Sequence, residues 1–136
     1  MRISFVGRDG RPQFFDESFF MYKEDCDLAY RLFLTGHGCR LVPGALIYHD
    51  RSAAAAGRGW LGAWRSRTGK SRTVRAWSFR NQHLIYLKFW SKQDNAGKMS
   101  IVKNVVIFFV FSLLFEQFLL KEYPRIYNLS RGLTNT

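Results

Sequence analysis

The chain has 136 residues, enough for one small domain and too few for several, and it carries a formal net charge of +11. The charge is regional: residues 1–50 hold six Lys/Arg against seven Asp/Glu, residues 51–98 eleven against one, and residues 99–136 four against two. Two cysteines, Cys26 and Cys39, have no CxxC spacing and no nearby His cluster, which argues against a metal finger or a redox pair and sets a reduced cytosolic compartment as the default.

The N-terminal stretch MRISFVGRDGRP lacks an apolar run long enough for a signal peptide, so the chain is expected to start in the cytosol. It leads into FFDESFFMYKED, an aromatic-rich segment with turn-forming Asp16, Glu17 and Ser18. A helix is predicted over 25–35, with acidic residues crowding the first turn, where the helix dipole favours them. Leu28 and Leu32 share one face with Ala29 and Phe33 beside them, while Asp27 and Arg31 form an i,i+4 pair on the opposite side. Gly36 is the natural left-handed residue just past the helix end. CRLVPGALIYHD then reads as one or two short strands broken at Pro43-Gly44, with His49-Asp50 at the polar end. Helix followed by strand is an α/β pattern, although three strand candidates at most cannot make a complete α/β domain.

Residues 52–72 are rich in small residues, interrupted by glycine and strongly basic, and read as a loop with one helical turn. Helical spacing returns in TVRAWSFRNQHLIYLKFW, where Val74, Trp77, Leu84, Leu87 and Phe89 are compatible with one buried stripe. The last element, 101–120, is the most hydrophobic. Its uninterrupted core VVIFFVFSLLF has eleven residues, about 17 Å at 1.5 Å per residue, where a bilayer core needs roughly 20 apolar residues. Lys103-Asn104 and Glu116-Gln117 close it off at both ends. It is read as a helix lying at a membrane surface or packed on protein, with a span as the alternative.

The excess of cations in residues 51–98 points to an anionic partner, whether phosphate, nucleic acid or acidic lipid, or else to a solvated charged surface. Glu24, Asp25 and Asp27 also have two readings. Acidic residues in a first turn are explained by capping and the helix dipole alone. Alternatively, a carboxylate aimed from a helix N-terminus into a cleft is a general base or metal ligand. Neighbouring helical residues are about 100° apart, so the three cannot all face one site. His49 is either a hydrogen-bonded strand-end residue or a metal ligand, since neutral imidazole binds divalent transition metals well.

FFDESFFMYKEDCDLAYRLFLTGHGCRLVPGALIYHD resembles the C-terminal half of the catalytic domain of family 2 glycosyltransferases, most closely the bacterial rhamnosyltransferase-like and galactofuranosyltransferase-like members. The residues that carry the likeness are Phe15-Asp16-Glu17, Glu24-Asp25, Asp27-Leu28, Arg31, Gly36, Pro43, Ala45 and His49, in matching order and spacing over about 36 residues. The resemblance implies the GT-A α/β fold and inverting transfer of a sugar from a nucleotide-diphosphate donor. It implies Asp25 as the catalytic base, with Glu24 supporting it, and His49 as a ligand of a divalent metal (Mg or Mn) on the donor diphosphate. The basic loop, with Arg67, Lys70 and Arg72, would then meet a phosphate-bearing substrate.

Two departures stand out. Gln13-Phe14 occupies a place where the family has small residues, and the stretch before Phe15 holds no Asp-x-Asp metal motif. The expectation is therefore a C-terminal fragment, inactive alone. Residues 1–50 would be catalytic-domain remainder, 51–98 a basic loop and helix, and 99–136 a membrane-associated helix. The expected acceptor is a cell-envelope or lipid-linked glycan, the expected location the cytoplasmic face of the cell membrane, and no nucleic acid is expected. The rival reading is a small non-enzymatic protein that binds nucleic acid or anionic membrane through 51–98, with Trp60, Trp64, Trp77 and Phe79 available to stack on bases.

Overall fold

A computed structural model describes residues 5–6, 12–38, 40, 42–46, 48 and 66–133. Four helices carry the fold: α1 (Glu24–Leu34), α2 (Arg72–Lys88), α3 (Asn95–Leu114) and α4 (Glu122–Ser130). Short 3-10 turns at Trp90–Lys92 and Gln117–Lys121 join the last three. The strand pairing among the described residues is a two-residue antiparallel ladder, Phe5 opposite Gln13 and Val6 opposite Pro12.

The expected α/β, GT-A-type architecture is therefore corrected: the described part of the chain is helical and builds no sheet sandwich. The physical reason lies in backbone hydrogen bonding. A strand needs a neighbour for its amides and carbonyls, whereas a helix satisfies its own. Where a strand was expected to break at Pro43-Gly44, the Ala45 amide donates to the Val42 carbonyl at 3.0 Å and closes a turn, and no flanking described residue joins a ladder.

Helix α1 lies one residue from its predicted bounds, and its end is fixed by local chemistry. The His37 amide donates to the Leu32 carbonyl and the Gly36 amide to the Phe33 carbonyl. That double closure requires the left-handed backbone of Gly36, at φ 76°. The start is less ordinary. Tyr22 and Lys23, neither of them glycine, both sit in the left-handed region at φ 69° and 73°, and Lys23 gives no side-chain cap.

Helix α2 starts where the Ser71 hydroxyl accepts from the Val74 amide at 3.3 Å. Its burial differs from a single stripe. Leu84 and Phe89 are buried as expected, but Leu87 is exposed, and Phe79, Asn81, His83 and Lys88 are buried instead. These positions are spread around the helix at 100° per residue because α2 is covered on two sides. One side holds residues 14–34; the other packs on α3 and α4.

Phe79, Leu84, Leu119, Ile126 and Phe19 form the core. Phe79 meets Phe108 of α3 and Tyr123 of α4 edge-on, at centroid distances of 6.0 and 5.5 Å. Helices α2 and α3 run antiparallel, so Arg75 near the start of α2 reaches Glu116 just past the end of α3 at 2.7 Å.

Helix α3 begins six residues before the predicted 101, because Asp94 caps it by accepting from the Gly97 amide at 2.7 Å. It ends at Leu114 rather than 120, where Glu116 is drawn in by two arginines and the chain tightens into a 3-10 turn. Twenty residues at 1.5 Å per residue give about 30 Å, the thickness of a bilayer's hydrocarbon core. Only 6 % of the apolar window of α3 is buried, so it is not the core helix of this fold.

Candidate functional site

The acidic turn is assembled by long-range polar contacts. Asp16 folds its own segment, accepting at Oδ1 from the Ser18 amide at 2.9 Å and at its carbonyl from the Phe19 amide at 3.0 Å. Its Oδ2 then meets the ammonium of Lys88 at 2.6 Å, and the same ammonium lies 2.8 Å from Asp27 Oδ1. Asp27 Oδ2 receives Arg31 Nε at 2.7 Å, and Arg31 Nη2 donates to the Phe14 carbonyl at 3.0 Å. Asp27, Arg31 and Lys88 are all buried, so this network is a desolvated cross-link between residues 14–31 and the end of α2. Phe19 and Phe89 place their rings 5.6 and 5.7 Å from the same ammonium. Burial alone would raise the Asp16 carboxyl, but the hydrogen bonds from Lys88 and the Ser18 amide outweigh it and hold it below the ordinary carboxylate value.

Asn81 makes the second cross-link. Its Nδ2 donates to the carbonyls of Met21 and Tyr22, at 2.7 and 2.8 Å, and the residue is fully buried. Those carbonyls lie just before and within the left-handed pair Tyr22-Lys23, a conformation that costs about 1–3 kcal/mol per residue and persists only where surroundings impose it. Asn81 is the group that imposes it. Beside it, the Phe20 ring stacks edge-on against Trp77 at 5.3 Å.

The acids expected to do chemistry lie just beyond this clamp. Asp25 is exposed at the N-terminus of α1, accepts from the Cys26 amide at 2.8 Å, and makes no ion pair among the described residues. Glu24 is half-buried, with Oε2 shielded and without a hydrogen-bond partner among the described residues. His49 lies outside the described residues. Among those described, no three His, Cys, Asp or Glu side chains converge on a metal-sized site. The Asp16 and Asp27 carboxylates are already held by Lys88 and Arg31, which leaves neither as an open metal ligand.

The expected phosphate-binding residues go to different places. Arg67 is engaged bidentately by Glu116, its Nη2 2.6 Å from Oε2, and sits 5.1 Å over the Phe111 ring. Lys70 is half-buried, and its amide donates to the Arg67 carbonyl. Arg72 is exposed, with its guanidinium 5.7 Å over the Phe118 ring. The structure does not bring these three together with Asp25 in any described contact.

Asn81 and Lys88 are the site residues that sequence reasoning missed. Their signal is visible afterwards: two polar side chains seven apart flank Leu84 on the same face of the helix. Comparison of the chain with protein-family models, with curated proteins and with solved structures finds no match.

Proposed function

We propose that this chain supplies the acceptor-side segment of an inverting glycosyltransferase working at the inner face of the cell membrane, with Asp25 as general base. The observation that supports it is the division of labour among the acids. Asp16 and Asp27 are consumed in the buried network, while Asp25, two residues before Asp27, is exposed and makes no ion pair among the described residues. In that role its carboxylate takes the proton of an acceptor hydroxyl as the oxygen bonds to the anomeric carbon and the donor's sugar–phosphate bond breaks. Glu24, shielded beside it, supports the turn. The membrane seat is helix α3, whose exposed side carries Met99, Val102, Val106, Val110 and Leu113. Its neighbour α2 bears Arg72, Arg75 and Arg80, which favours a surface-lying arrangement over a span.

Replacing Asp25 by Asn at the native locus tests the reading. The expected result is loss of one envelope or lipid-linked glycan, with unchanged amounts of the protein in the membrane fraction. An unchanged glycan profile would overturn it. The nucleic-acid alternative has less to draw on, because Phe79 is buried in the core and the ring of Trp77 already stacks on Phe20.

A further inference from the structure

A cationic cleft opens between α2, the 3-10 turn and α4. It has a volume of about 260 Å³ and is lined by Arg72, Trp77, Arg80, Phe118, Lys121 and Arg125. Its single carboxylate, Glu122, is buried and lies 2.7 Å from Arg125 and 3.6 Å from Arg80. One negative charge therefore faces four positive ones. Among the described residues, Arg72 and Lys121 have no carboxylate within ion-pairing distance, and Arg80 Nε and Glu122 Oε2 are buried without a hydrogen-bond partner. A concave surface with unspent guanidinium donors and uncompensated charge is built for an anion with several acceptor oxygens.

Size and surroundings narrow the anion. A pocket below roughly 300 Å³ is small for a drug-sized ligand and suits a headgroup. Across Phe118, whose ring lies under both Arg72 and Arg75, a second depression shares Arg72 and is walled by Leu114 and Phe115. Those two side chains are 68 % and 62 % exposed and continue into the apolar face of α3. Glu116 in that depression is already neutralised by Arg67 and Arg75. Charge and apolar surface thus adjoin as they do in a phosphate-headed amphiphile.

We infer that this cleft binds the terminal phosphate of a membrane lipid, with the lipid's chains against Leu114, Phe115 and the outer face of α3. The inference rests on the membrane-surface seat proposed above and is independent of Asp25. A terminal phosphate offers three acceptor oxygens and up to two negative charges, which a phosphodiester headgroup does not.

Vesicle flotation of the full chain tests it, comparing phosphatidylcholine vesicles doped with phosphatidic acid or with phosphatidylglycerol at matched surface charge. Binding to phosphatidic acid is expected to be at least tenfold tighter. Lys121→Gln with Arg125→Gln, both exposed positions, should erase that preference while leaving phosphatidylglycerol binding within twofold. Leu114→Asp should weaken binding to both, and Asp25→Asn to neither. Equal binding to the two anionic vesicles, or a preference untouched by the double variant, would overturn the phosphate site and leave the membrane seat standing. No binding to any vesicle would overturn both. Inorganic phosphate that binds the chain without vesicles and displaces it from them at equal concentration would make the ligand a soluble phosphate. Tight binding of a single-stranded oligonucleotide, lost in the double variant and indifferent to Leu114→Asp, would make it a nucleic acid. Either result overturns the lipid assignment.

Discussion

The two sides of α2 differ in what fixes their geometry. Toward residues 14–34, Phe19 and the Phe20–Trp77 pair are accompanied by two buried polar side chains: Lys88 joins two carboxylates and Asn81 joins two carbonyls. Toward α3 and α4 the centre of the contact is aromatic, with Phe79, Phe108, Tyr123 and the ring of His83 meeting at centroid distances between 4.4 and 6.0 Å, and the Arg75–Glu116 and Arg80–Glu122 pairs lie beside it. The aromatic side spreads its stabilisation over many weak contacts, none of which specifies one backbone conformation. On the polar side the stabilisation sits in a few short, directional bonds, and those bonds fix the turn that presents Asp25.

The largest effect should come from removing one pillar on each side. Lys88→Met leaves Asp16 and Asp27 buried without their cation, and is expected to cost about 3–5 kcal/mol in denaturant unfolding. Adding Asp16→Asn and Asp27→Asn should return part of that loss, because the uncompensated charges go with them. Phe79→Ala is expected to cost a similar amount, about 3–5 kcal/mol, through its cavity, but no charge substitution should rescue it. Rescue of both, or of neither, would break the distinction between the sides.

Asn81→Ala should cost about 1–3 kcal/mol by stranding the Met21 and Tyr22 carbonyls. Amide exchange should rise at residues 22–27 and stay unchanged in α4. A uniform rise would show that the clamp is not local.

The sides should also answer pH in separate windows. Burial pushes the His83 imidazole below its ordinary 6.5, with its Nδ1–H hydrogen bond to the Phe79 carbonyl only partly opposing this. The unfolded chain then binds the proton more readily, so this stabilisation is full above pH 6.5 and lost as pH falls below it, by at most about 1.4 kcal/mol per pH unit. His83→Gln should flatten that window. Asp16, held below 3.8, contributes stability that is present above that pH and lost only as the solution becomes more acid. A Lys88 variant should flatten the acid window and leave the His83 window in place.

The smallest effect is expected at Gly36→Ala, about 1 kcal/mol, because a Cβ is strained at φ 76° although nothing crowds the position. Unfolding midpoints would read it. A loss above about 2 kcal/mol would show that the end of α1 bears on the polar side more than its own closure does.

Much of the local structure was legible. The acidic first turn and the glycine closure placed α1 within a residue, and the Asp27–Arg31 pair forms as spacing predicted. Its burial was not legible, because spacing says which side chains meet and not what covers them. The single stripe expected on α2 failed at Leu87 for the same reason: a helix covered on two sides has no single apolar face. The α/β expectation failed because a helix–strand order implies a sheet only when other strands are present to pair with, and the described chain supplies one two-residue ladder.

By itself, the sequence determined what depends on neighbours along the chain: the ends of α1 within a residue, the Asp27–Arg31 pair, the break at Pro43-Gly44, the charge imbalance and the apolar run of α3. Only the tertiary structure decided which acids are spent and which charges are left over. Lys88 lies 72 residues from Asp16, and Arg67 lies 49 from Glu116. Contacts at such separations depend on how the helices stack, which no local pattern encodes. They leave Asp25 without an ion pair among the described residues, and a cleft of net positive charge between α2 and α4.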